Sequence, residues 1–203
     1  MKEEKIIFLG DQLMQGHDVV VKGEEVKIDA ESYYKISNYD AMRPFFMSIV
    51  SNSNHWMFLS STGGLSAGRK NSEFALFPYY TDDKITESAE FTGSKTICLV
   101  ERGSKVSLWE PFSSKYDGVY KVSRNLYKNA YGNKIRFEEI NHDLGFSFTY
   151  DWNSSDKYGY VRKSVLTNLG ADAARVRFAD GLQNLMPYGV ETALQQASSN
   201  LVD

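Results

Sequence analysis

Residues 146–152 read Phe146-Ser147-Phe148-Thr149-Tyr150-Asp151-Trp152, a strict alternation of aromatic and polar side chains. Successive side chains of an extended chain point to opposite faces. Phe146, Phe148 and Tyr150 therefore share one face, and Ser147, Thr149 and Asp151 share the other. That is the pattern of a half-buried antiparallel strand, one side on a core and one side in water.

Working outward, short runs of the same kind recur with turn residues between them. Downstream lie Tyr158–Leu169 and Ala174–Asp180. Upstream, Val119–Asn125, Tyr127–Tyr131 and Lys134–Ile140 continue the series, with Gly132-Asn133 as a turn. Ser94–Glu101 and Lys105–Trp109 flank Arg102-Gly103-Ser104, a hairpin signal. Nearer the start, Lys5–Leu9, His17–Lys22 and Ser32–Ile36 have strand composition, Val26–Ala30 less so, and Gly16 and Gly23 punctuate them. Pro44 keeps Ala41–Arg43 out of any central strand. Many short strands with frequent turns predict a mostly β fold, an antiparallel β-sandwich rather than a βαβ fold. The 203 residues fit one such domain, and 42% hydrophobic content with 14% aromatic is ample for its core.

Composition also excludes functions. A formal net charge of −3 gives no basic face for nucleic acid. No apolar run approaches the roughly 20 residues of a spanning helix, and the start, MKEEKIIFLG, does not read as a secretory signal. Cys98, the single cysteine, sits in an apolar run and reads as a buried strand thiol. With no disulfide framework, the expected compartment is reducing and cytoplasmic. His17, His55 and His142 lack the spacing of a metal site, so no metal ligand is expected.

The segment Phe45–Ile85 holds the candidate site. Within it, His55–Ser60 reads as a strand, Gly63-Gly64 as a turn, and the whole as a hairpin. Ser60–Gly64 lacks the Gly-Lys-Ser/Thr ending of a phosphate loop, and Gly68 reads as a bulge or close-packing position. Trp56, Arg69, Asn71, Tyr79, Tyr80, Asp82 and Asp83 form a polar-aromatic group suited to a sugar or a neighbouring domain. Asp82-Asp83 ends a loop in this reading, with an Arg69–Asp83 ion pair ordering it. Trp56, Trp109 and Trp152 read first as core and second as sugar-stacking platforms. An epimerase would need a histidine acid and a glutamate base across one cleft; His55 or His142 with Glu73, Glu110 or Glu139 are the candidates.

The C-terminal stretch differs. Val190–Val202 places Val190, Ala193, Leu194 and Ala197 at helical spacing. The expected division is a sandwich over 1–188 and, over 189–203, the start of a linker helix leading to a domain not present in this chain.

Two patches carry a resemblance. Trp56–Arg69 with Leu76–Ile85, and later Thr167-Asn168 with Asp180–Pro187, resemble the N-terminal β-sandwich domain of cellobiose-phosphorylase-like carbohydrate-active enzymes. The resemblance implies a galactose-mutarotase-like supersandwich packed on an (α/α) helical catalytic domain of the same polypeptide, shaping a carbohydrate site and joining a homodimer interface. It implies a parent enzyme that is a glycoside phosphorylase or glycoside hydrolase. The catalytic acid lies in the barrel, so no catalytic residue and no cofactor is expected here; inorganic phosphate would be a co-substrate of a phosphorylase parent. A stand-alone carbohydrate-binding module and an aldose-epimerase-like enzyme are the alternatives.

Overall fold

A computed structural model describes residues 7–9, 12–14, 19–78, 82–186, 189, 191 and 193–194. The elements run β1 (Ile7–Leu9), β2 (Gln12–Met14), β3 (Lys22–Ile28), β4 (Glu31–Ser37), β5 (Phe46–Ile49), β6 (His55–Ser60) and β7 (Leu65–Arg69). The short helix α1 (Asp82–Glu87) follows, then β8 (Gly93–Arg102), β9 (Lys105–Trp109), β10 (Val122–Asn129), β11 (Lys134–Asn141), β12 (Phe146–Ser155), β13 (Gly159–Asn168) and β14 (Arg175–Gln183). The protein is mostly β, and its strand pairings are antiparallel.

A six-stranded sheet, β13-β12-β11-β10-β4-β3, faces two three-stranded sheets, β14-β8-β9 and β5-β6-β7. The alternation in β12 sets the register. Phe146, Phe148, Tyr150 and Trp152 are buried, and the residues between them are not. Across β10–β11–β12 this gives the inner row Leu126–Phe137–Tyr150 and the outer row Tyr127–Arg136–Asp151. Phe137 stacks on Tyr150 at 4.9 Å, and Met57, Leu59, Leu65, Val100 and Trp109 belong to the same core cluster. Each such side chain contributes about 1.5–3 kcal/mol by leaving water. On the outer row, Arg136 donates two hydrogen bonds to Asp151, at 2.6 and 2.9 Å.

One charged pair is built into the core. Glu139 is 1% exposed. It accepts hydrogen bonds from Trp109 Nε1, Phe112 N and Arg124 Nε, each at 2.7 Å. These bonds tie β9 of one layer to β10 and β11 of the other, and they offset the cost of taking a carboxylate out of water. Cys98 is fully buried in β8, where desolvation pushes its thiol up to about 11. It is a packing residue.

Several expectations need correction. Val119–Asn125 and Tyr127–Tyr131 are not two strands: Asn125 to Asn129 pair continuously with Tyr33–Ser37, so one strand runs through and the turn comes at Gly132 (φ 73°). In the run expected at His17–Lys22, Val19–Val21 are exposed and outside any strand, which begins only at Lys22. Gly23 does not end a strand but lies inside β3, because the Tyr34 ring occupies the space a Cβ would need. Asp82-Asp83 does not end a loop; it opens α1. The linker helix expected over 189–203 lies for the most part outside the described residues.

Candidate functional site: an aromatic cleft where the layers part

At one end of the molecule the two layers separate around a cleft of about 410 Å³. Hairpin pairing decides what faces it. In β6–β7, His55 pairs with Arg69 and Met57 with Ala67, so all four share one face, where His55, Met57 and Ala67 are buried and Arg69 is exposed at the strand's end. From the large sheet come Trp152 of β12 and Tyr160 of β13, both on its inner face. The lip is the β12–β13 turn, Asp156-Lys157-Tyr158-Gly159, where Gly159 adopts φ 76°. Such a turn places Tyr158 in water, 72% exposed. The far wall is Leu76 and Phe77 together with Leu182 and Leu185, at and just after the end of β14. The Met186 amide donates to the Leu76 carbonyl at 2.8 Å, pinning those two stretches together.

The polar groups are specific. The His55 ring is hydrogen-bonded to Ser51 (3.0 Å) and Ser53 (2.9 Å) and packs edge-on against Tyr160 at 4.5 Å. Burial, and then the positive charge of Arg69, push its pKa below the ordinary histidine value. Trp152 is 3% exposed, and its indole N–H has no acceptor among the described residues. Aromatic walls with few convergent polar groups, at this volume, are the usual composition of a small-molecule site.

The residues expected from sequence are divided by the hairpin. Arg69 enters the cleft. Trp56 pairs with Gly68 on the opposite face, where it donates to the Asn71 carbonyl (3.3 Å) and tilts against Phe58, which stacks on Phe46. Asn71 acts locally, its side chain accepting from Glu73 N and capping the 3-10 turn Ser72–Phe74. Tyr79 and Tyr80 lie outside the described residues, as do the side chains of Asp82 and Asp83 and hence the expected ion pair with Arg69. Two of the glutamates and one of the histidines considered for an epimerase have other partners. Glu139 is engaged by Trp109, Phe112 and Arg124, Glu110 pairs with Lys95 and Tyr116, and the His142 ring bonds Ser123. Trp109 and Trp152 are core residues, as their sequence setting implies, and Trp152 also lines the cleft. The turn residues Asp156–Tyr158 escape the sequence reading, although an aromatic at a hairpin tip is the available signal.

A second cleft, of about 560 Å³, lies beside β4 and Phe45–Met47. Its walls include Tyr34, Ile36, Leu126 and Tyr131, and neither patch of the resemblance reaches it. Comparison with known proteins gives no identification: no family model matches the chain, and no curated protein matches it.

Proposed function

We propose that this chain is a non-catalytic sandwich domain of a glycoside phosphorylase or glycoside hydrolase, of the galactose-mutarotase-like kind, and that the aromatic cleft is its carbohydrate-facing surface. One observation carries the reading. The two separate patches that resemble cellobiose-phosphorylase-like enzymes, 56–69 with 76–85 and 167–168 with 180–187, meet as walls of the same cleft: Arg69, Leu76 and Phe77 from the first, Leu182 and Leu185 from the second. Sugars present apolar C–H faces and a rim of hydroxyls. The rings of Tyr158 and Tyr160 match the faces, and Arg69, Asp156 and Ser53 match the rim. The helical catalytic domain, with phosphate or water as acceptor, would supply the chemistry; the sandwich positions the sugar.

Calorimetric titration of the chain with a panel of neutral α- and β-linked gluco-oligosaccharides tests this. At least one is expected to bind, and Tyr158→Ala is expected to weaken it about fivefold, close to 1 kcal/mol. Trp56→Ala, on the opposite face of the hairpin, should leave binding unchanged. Loss of binding in Trp56→Ala alone would move the site to that other face.

A further inference from the structure

The cations of the cleft differ from the fully and partly buried arginines of the sheets. Arg124, Arg136 and Arg162 are each held by a carboxylate. Arg69 and Lys157 both line the cleft, and among the described residues neither has a carboxylate within ion-pairing distance. Lys157 Nζ lies over the Tyr158 ring at 5.1 Å instead. Asp156 is the one carboxylate lining the cleft among the described residues, so the described lining carries a local excess of one positive charge on a chain whose net charge is −3.

We propose that the cleft takes a sugar ring bearing an anionic group, the ring lying against Tyr158 and Tyr160 and the anion between Arg69 and Lys157. This rests on the reading of the cleft as a carbohydrate site and names its substrate class. Two chemistries supply such an anion: the carboxylate of a uronic acid and the phosphate of a sugar phosphate. Arg69 offers a planar guanidinium fork that fits either, and Lys157 a point charge. Asp156 faces the hydroxyls and disfavours a second negative charge, so the ligand carries few charges rather than many.

The test compares matched ligands on the full chain by calorimetry: glucose, glucuronic acid, glucose 1-phosphate and inorganic phosphate, with oligosaccharide forms of the neutral and uronic sugars. An anionic ligand should bind about tenfold tighter than its neutral counterpart at low salt, with the advantage shrinking as salt screens the exposed cations. Arg69→Gln and Lys157→Gln, both changes at exposed positions, should remove most of that advantage, lowering anionic-ligand affinity several-fold more than neutral-sugar affinity. The preferred member of the uronate and phosphate pair identifies the source of the anion. A readout independent of affinity is the His55 titration by NMR: an anion beside Arg69 should raise the His55 pKa, and a neutral sugar should not. Equal affinity for neutral and anionic ligands would overturn this inference and leave the carbohydrate reading standing. Inorganic phosphate binding as tightly as the sugar phosphate would overturn it too, because the ring would contribute nothing. Absence of binding by every saccharide would overturn both.

Discussion

At the scale of single residues, the clearest electrostatic feature is Asp180. It accepts from Thr96 (2.6 Å), from Arg162 through both Nη atoms (2.8 Å each), and from Ser164. Burial by itself would raise its pKa, but the hydrogen bonds from Arg162, Ser164 and Thr96 outweigh it and hold the carboxyl at about 2. The sign follows from linkage. The unfolded chain binds the proton more tightly, near the ordinary value of about 3.9, so the stabilisation is complete above that pH and is lost as pH falls toward 2. After a discount for solvent screening it amounts to about 1–2 kcal/mol. Denaturant midpoints measured from pH 5 to pH 2 should fall more steeply for the native chain than for Asp180→Asn, which starts lower and lacks that step. Parallel curves would show that the carboxylate is not what links β14 to β13. None of this is legible in the sequence, where Asp180 is visible only as the start of a patch and Arg162 as one residue of a strand. The pairing is made by two sheets meeting, which spacing along the chain does not encode.

At the scale of elements, the β6–β7 hairpin does the positioning. His55–Ser60 reads directly from the sequence, and the Gly63-Gly64 turn with it, because period-two patterning and turn chemistry are local. What the pattern does not give is which side of the hairpin each polar-aromatic residue takes once α1 and residues 70–77 fold over it. Trp56 and Arg69 form one group along the chain and sit on opposite faces in space. At Gly68, of the two expected roles, the close packing is real. A Cβ there would stand 2.6 Å from the Phe74 carbonyl oxygen and from Trp56, and 2.8 Å from Ala75 Cα. Gly68→Ala must therefore push residues 74–77 away from β7, moving Leu76 and Phe77, the wall of the cleft. The expected cost is about 1–3 kcal/mol of stability, read as a lower Tm. A fall in saccharide affinity should accompany it. Gly181→Ala, where a Cβ meets nothing within 4 Å, is the matched control and should change neither. Equal effects of the two substitutions would contradict the packing account.

At the scale of the whole molecule, the mostly β antiparallel fold is readable because the β12 alternation propagates through β11 and β10 into one buried layer. The cleft is not readable, because it is made of an absence of packing: the layers part, and residues far apart in sequence, 53–77, 152–160 and 182–185, border the gap. The chain holds three tryptophans, and the structure gives each a different environment. Trp109 donates to Glu139 in the core, Trp56 lies on the outer face of the hairpin, and Trp152 lines the cleft. Their indole N–H resonances form a three-way reporter of where a sugar binds. In a nitrogen–proton NMR titration of the chain with a binding saccharide, the Trp152 resonance should shift most and the Trp109 resonance should stay fixed. Arg69→Gln or Tyr158→Ala should diminish the Trp152 shift. A shift confined to Trp56, or three unmoved indoles at saturating sugar, would contradict the assignment of the cleft as the carbohydrate site.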